Sequence, residues 1–394
     1  MNFAFSNGST FFPRPRNFQW YVGSTSLLCD LSAVDEWEKY TDIENEIIEE
    51  AYNASKDIVE IDGGYLIDLK RLLQFSEADG SVGRQVKRVQ LDRNNYKDIR
   101  LRKERFFSPV EFSLPKTLHS ANEDKAEHSN IMESSLISAY YRLEIDGKKK
   151  TTADVVADAA AGIINEGMTV GRAHQAQWLA KELLSVKQFG ENIRMDIFDM
   201  SDDIATSEQK NNPVDEDRLS RVPSIIGKMC TYIYTRDSFW YKSVNAVLRN
   251  GLVKVTREQI KTFGPFSSLL SYHLHKHHTN DTRTVYRGLN LTDAEREQIR
   301  RSNIVPFESF TSTSKNRQLA ELYGNTLLII DTKVSEDTSR YYDGCGTDIS
   351  SVSQFPEEEE FLISPGQNFD FVDYKFDLVN TKHIIYLKSM VIVE

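Results

Sequence analysis

TVYRGL (284–289), FESFTSTS (307–314), NTLLIIDT (325–332), EFLIS (360–364), FDFVDYKFDLV (369–379) and HIIYLKSMVIV (383–393) fill the C-terminal stretch of the chain. Each is a short run rich in β-branched and aromatic residues, and turn-forming residues separate them, so they read as strands. Just upstream, SRVPSIIGKMCTYIYT (220–235) and SFWYKSVNAVLRNG (238–251) carry helical patterns instead. Helices first and strands later predict an α+β unit rather than a parallel βαβ sheet. GCG at 344–346 lacks the third glycine and following helix of a dinucleotide fingerprint. A dinucleotide bound here would therefore not sit in a Rossmann crevice.

Moving toward the N-terminus, two polar stretches without apolar periodicity read as linkers: residues 108–130 and 201–218. Between them, 131–190 reads as helical. TTADVVADAAAGIINEG (151–167) has a Thr/Asp start, an Ala-rich interior and a terminal Gly. AHQAQWLAKELLSVKQFG (173–190) follows, with Ala176, Leu179, Leu183 and Val186 near helical spacing. An αα-hairpin or small bundle acting as a spacer is expected, with no chemistry assigned to it.

The first part of the chain reads as strand, strand, helix, strand, strand. FQWYV (18–22) favours β structure. Thr41 with Glu44 three residues on forms a capping box that opens the helix DIENEIIEEAYNAS (42–55). After Gly63-Gly64, YLIDLKRLLQF (65–75) resumes an apolar run, and ADGSVG (78–83) turns the chain into RQVKRV (84–89).

Composition sets bounds on function. The chain has 394 residues, 40% hydrophobic and 27% charged, with a formal net charge of −11. That size predicts two or three domains. The charge argues against a protein whose main business is nucleic acid. No run approaches the length of a membrane helix, and the N-terminus has no basic start followed by an apolar core. Cys29, Cys230 and Cys345 are odd in number and widely spaced, which predicts a reducing, intracellular setting, cytoplasmic or nuclear. One basic strip stands out: Arg84, Lys87, Arg88, Arg93, Lys97, Arg100, Arg102, Lys103 and Arg105 face only Asp92, Asp98 and Glu104. Such a strip suits a phosphate-bearing ligand, although a solvated face is the commoner origin.

Three C-terminal elements point to chemistry when taken together. Arg287 precedes Gly288 on a strand-like run. Ser312-Thr313-Ser314 closes another. Glu358 and Glu360 stand two apart before the apolar run FLI. An arginine fork grips a pyrophosphate better than a lysine does, and a glycine lets backbone approach a ligand closely. In an extended segment Glu358 and Glu360 would share one side, with Glu359 turned away. One carboxylate could then face positive charge developing on a ribose, as in glycoside cleavage, and the other could orient an incoming guanidinium. Singly, each element is bland: a paired surface arginine, a turn, an acidic loop.

The order VYRGL, F-x-S-F-x-S-T-S, FPEEEEFLISPG is similar to the R-S-E class of ADP-ribosyltransferases with an E-x-E last motif, and YTRDSFWYKSVNAVLRNG (234–251) resembles that family's helical subdomain. The resemblance covers about 195–394. It implies NAD+ as substrate, cleaved for mono-ADP-ribosylation of protein arginine, with a helical subdomain and a mixed β-sheet core. It implies Arg287, Gly288, Ser312 and Glu360 at NAD+, Glu360 as the catalytic glutamate and Glu358 as the residue conferring arginine as acceptor. Families with Gln at the 358 position modify other side chains. The paired cysteines common in secreted members are missing.

FQWYV, EWEKY (36–40), IIEEAY (47–52), YLIDLKRLLQF and GRQVKRV (83–89), with Trp20, Trp37 and Glu49, look like a WWE domain over 16–92. That implies a half-barrel of strands on one helix, binding ADP-ribose-type ligands or ADP-ribosylated proteins. Tyr21, Tyr65, Gln74 and Arg84 match its binding positions, and Trp20 and Trp37 read as structural. The expectation is a transferase joined to a reader, with an NAD+ glycohydrolase or a non-catalytic adaptor as alternatives. HLHKHH (273–278) offers four histidines but no Cys or carboxylate at metal spacing, so it reads as a solvated helix end with no metal expected.

Overall fold

A computed structural model describes residues 17–26, 36–78, 83–91, 135–195, 221–249, 255–277, 284–333, 345–353 and 355–390. The linker stretches 108–130 and 201–218, the basic strip from Arg93 to Arg105, Cys29 and His278 lie outside these residues, and all element counts refer to the described residues.

The N-terminal unit contains β1 (Phe18–Ser26), β2 (Trp37–Lys39), α1 (Asp42–Asn53), β3 (Ile58–Ile61), β4 (Tyr65–Asp68), β5 (Leu73–Ser76) and β6 (Arg84–Gln90). The strands form one sheet in the order β2-β1-β6-β5-β4-β3, antiparallel throughout. The capping box is present as read: Thr41 accepts from the Glu44 N–H, and Glu44 accepts from the Thr41 N–H. Trp20, Val22, Ile67 and Val86 of the sheet pack with Ile48 and Ala51 of α1 in a single core. YLIDLKRLLQF is not one run but two strands, β4 and β5, paired antiparallel across Leu69–Leu72.

The helical part comprises α2 (Ser135–Tyr140), extended by a π turn over Tyr141–Ile145, then α3 (Thr152–Thr169), α4 (Ala173–Leu184), α5 (Ser224–Tyr234), α6 (Phe239–Arg249) and α7 (Arg257–Lys276). Thr151 and Asp154 form a second capping box at the start of α3. Gly167 does not end that helix. It lies two residues inside, where a Cβ would strike the Ala176 methyl, and the left-handed residue that frees the chain is Gly171 at φ +68°. Val156, Ile163, Leu179 and Leu183 join Ile233, Trp240, Phe266 and Leu270 in one apolar cluster, so α3 and α4 share a core with α5, α6 and α7.

The N-terminal unit is seated on these helices through α1 and the β3–β4 turn. Ile43 enters the helical core. Buried Asp62 accepts from the backbone N–H groups of His174 and Gln175 at 2.8 and 3.2 Å, satisfying orphan donors at the start of α4. Trp178 donates to Glu50 at 2.8 Å, the Asp237 N–H donates to Asp42 at 2.7 Å, and the fully buried Arg236 pairs with Glu46 at 2.9 Å.

The remaining elements are β7 (Thr284–Leu289), α8 (Asp293–Arg301), β8 (Ile304–Phe307), β9 (Thr311–Ser314), α9 (Arg317–Glu321), β10 (Thr326–Asp331), β11 (Gly346–Asp348), β12 (Glu360–Ile363), β13 (Gln367–Asp377) and β14 (Lys382–Ser389). They build a sheet in the order β11-β12-β9-β7-β10-β14-β13-β8. β10 and β14 run parallel and the other pairs antiparallel, which gives the α+β architecture with a mixed sheet.

Candidate active site

Arg287 lies on β7, opposite Leu328 of β10, and is buried. Burying a guanidinium is tolerable only with partners for its N–H groups. Its Nη1 donates to the Ser312 carbonyl on β9 at 2.5 Å. β9 in turn pairs with β12, setting Ser314 against Glu360 and Ser312 against Leu362. Side chains two apart on a strand share a face, so Ser312, Ser314 and Glu360 lie on the same side of the β9–β12 ribbon. Ser312, Ser314, Glu358 and Glu360 are all buried.

The acidic run is not extended, as the sequence reading had it. Pro356–Glu358 form a 3-10 turn, Glu359 is left-handed at φ 45° and ψ 46°, and only Glu360 enters strand β12. Pro356 at the first turn position presets a helical φ, and bonds from residues 314–316 then reverse the chain. Ser314 Oγ donates to the Glu358 carbonyl at 2.8 Å, the Lys315 N–H to the Glu359 carbonyl at 3.0 Å, and Asn316 Nδ2 to Glu359 Oε1 at 3.1 Å. Glu358 and Glu360 are thus set apart by a turn and do not lie along one strand. Ser314 and Asn316, absent from the sequence reading as site residues, are what hold that turn. The S-T-S run contained the signal for the first.

Gly288 follows Arg287 on β7. A Cβ there would meet the carbonyls of Ala320 at 2.1 Å and Tyr323 at 2.5 Å, so the close approach visible at this glycine is to the end of α9. Lys315 pairs with Asp348 on β11. Burial works to raise that carboxyl, but the Lys315 and Ser350 bonds outweigh it and hold Asp348 below its usual range.

In the N-terminal unit Tyr21 is separated from its expected companions. It alternates with Trp20 and Val22, both buried against α1, so it points to the opposite face, where the ammonium groups of Lys87 and Lys39 lie 5.5 and 6.0 Å from its ring. Tyr65, Gln74 and Arg84 do share the helix-bearing face. Gln74 opposes the buried Ile67 on one side and Arg84 on the other. Their fourth member is Tyr40, whose hydroxyl donates to Gln74 Oε1 at 2.5 Å. Burial, with Glu44 adding to it, pushes that phenol well up, and nearby Arg84 opposes the shift. Arg84 donates to the Gly23 carbonyl at 2.7 Å and pairs with exposed Glu38 at 3.0 Å. Trp20 is structural: its indole donates to Glu49, which Arg88 also holds. Trp37 is half-buried and carries Lys87 over its ring at 3.8 Å.

The histidine run divides. His275 and His277 are exposed, as a solvated helix end would have them, but His273 is buried against Gly227. Among the described residues, no group of three His, Cys, Asp or Glu could hold a metal ion. No described helix is long and apolar enough to cross a membrane.

With this geometry in place, residues 228–391 match the family model of the NAD:arginine ADP-ribosyltransferases, and residues 31–88 match that of the WWE domain. Over 143 residues the chain is 32% identical to the erythroblast NAD(P)(+)--arginine ADP-ribosyltransferase of Gallus gallus, covering 34% of this chain and 42% of that protein. Over 104 residues it is 33% identical to the putative NAD(+)--arginine ADP-ribosyltransferase Mav of Mycobacterium avium (strain 104), covering 26% and 11%. The chain thus spans less than half the length of these relatives. A solved structure that aligns is the type III effector XopAI of Xanthomonas axonopodis pv. citri, at 14% identity and a TM-score of 0.39, covering 65% of this chain and 91% of that one.

Proposed function

We propose, with the NAD:arginine ADP-ribosyltransferase and WWE matches as premise, that this chain uses NAD+ as substrate and transfers its ADP-ribose to arginine side chains of proteins. The observation that carries this is the bond from buried Arg287 to the Ser312 carbonyl, on a ribbon where Glu360 stands opposite Ser314. Arg287 supplies the fork that a pyrophosphate requires. The Glu360 carboxylate stabilises positive charge growing at the anomeric carbon as the bond to nicotinamide breaks. Glu358 accepts a hydrogen bond from the acceptor guanidinium and orients it for attack on that carbon. A guanidinium is a poor nucleophile while charged, so the proton it loses also needs this acceptor. The new bond joins the guanidinium nitrogen to the ribose.

The N-terminal unit, in the same proposal, binds an ADP-ribose-type ligand or an ADP-ribosylated protein through Tyr40, Tyr65, Gln74 and Arg84. Arg84 would exchange Glu38 for a phosphate. An intracellular setting, cytoplasmic or nuclear, belongs to this reading and suits the free buried thiols Cys230 and Cys345.

Incubating the full chain with labelled NAD+ and polyarginine or cell lysate, followed by mass spectrometry of the modified side chain, tests the proposal. ADP-ribosylated arginine is expected. Free ADP-ribose without any modified side chain would favour a glycohydrolase, and no NAD+ consumption would favour a silent adaptor.

A further inference from the structure

We infer that Asn316 is a positioning residue for acceptor choice, acting through Glu359 on the turn that presents Glu358. This rests on the transferase reading above and deepens it. Glu359 carries a positive φ of 45° without being Gly or Asn, a conformation disfavoured for an ordinary side chain. The turn keeps it because three groups from consecutive residues bind it: Ser314 Oγ to the Glu358 carbonyl, the Lys315 N–H to the Glu359 carbonyl, and Asn316 Nδ2 to Glu359 Oε1. The same asparagine is fixed from its other end, since its Oδ1 accepts from the Leu319 N–H and caps α9. Its amide is therefore a rigid link between a helix start and the middle glutamate of the E-x-E run. Glu360 is anchored independently by its place in β12 opposite Ser314. Loosening the Asn316–Glu359 link moves Glu358, which would orient the acceptor guanidinium, more than it moves Glu360, which would face the bond that breaks.

The test compares wild type, Asn316→Asp and the double variant Asn316→Asp with Glu359→Gln. Each is assayed as the full chain for transfer to polyarginine and for NAD+ hydrolysis on the same preparation, with a thermal melt to establish folding. Asn316→Asp keeps the cap on α9 but sets two carboxylates against each other. The ratio of transfer to hydrolysis should fall, on the order of tenfold for a hydrogen bond to a charged group. The double variant restores one donor and one acceptor with the roles exchanged, and should recover most of the ratio. A purely structural role predicts that both activities fall together with the melting temperature. An unchanged ratio in Asn316→Asp, or no recovery in the folded double variant, overturns the inference while leaving the transferase reading standing. A wild-type chain that does not cleave NAD+ overturns that reading, and the inference with it.

Discussion

The Arg287 guanidinium and the Ser312 carbonyl are joined by a 2.5 Å hydrogen bond between β7 and β9, strands that, among the described residues, pair at Tyr286 with Ser314 alone. One side chain thereby closes a region where the backbone ladder is sparse. Arg287→Lys keeps the charge but loses the planar fork, which can hold the carbonyl and still present N–H groups to a phosphate. Turnover of NAD+ should fall by roughly a hundredfold while the chain stays folded, as kinetics and far-ultraviolet circular dichroism would register. Near-normal turnover would remove Arg287 from the account.

The face on which the N-terminal residues lie makes a separate prediction. Arg84→Ala and Tyr40→Phe should each weaken binding of ADP-ribose or iso-ADP-ribose, the former by about tenfold or more as a charged contact is lost. Tyr21→Ala, on the opposite face, should leave the affinity unchanged. Calorimetry on the full chain distinguishes these. Weakening by Tyr21→Ala alone would mean the ligand sits on the outer face.

The Asp62 carboxylate caps α4 from a different unit of the chain. Asp62→Ala strips both backbone donors of their partner and should cost about 1–2 kcal/mol of stability, read from denaturant unfolding. No loss would mean that α1 alone carries the docking.

His273 supplies a pH signature. Burial, with His277 and Lys228 nearby, pulls its pKa from 6.5 down to about 3. The folded chain keeps it neutral, whereas the unfolded chain takes up a proton below about pH 6.5. Its contribution to stability is therefore full above pH 6.5 and is lost progressively as pH falls toward about 3. Within that window the loss approaches about 1.4 kcal/mol per pH unit. Urea unfolding of wild type and His273→Gln between about pH 7 and pH 5 should show a flatter dependence in the variant. Parallel dependences would contradict it.

Much of this fold was legible from local signals. The capping box at Thr41 and the Thr/Asp start at Thr151 both begin helices in the structure, and the alternating apolar runs from TVYRGL onward are strands of one mixed sheet. What escaped depends on contacts between distant residues. The left-handed turn at Glu359 has no glycine to announce it and is held by Ser314 at the end of β9 and Asn316 at the start of α9. That Tyr40 and not Tyr21 meets Gln74 is a matter of sidedness, which only the packing of β1 against α1 shows. The middle helices read as a spacer because their apolar faces are satisfied by α5, α6 and α7, across a stretch of sequence with no periodicity.

The central claim is that one buried glutamate governs cleavage and another governs the acceptor. Glu360→Gln and Glu358→Gln, each assayed for NAD+ hydrolysis and for transfer to polyarginine, test it most directly. The account predicts that Glu360→Gln loses both activities, by roughly a hundredfold or more. Glu358→Gln should lose arginine transfer while still hydrolysing NAD+. Full NAD+ cleavage by Glu360→Gln, or undiminished arginine transfer by Glu358→Gln, would contradict it.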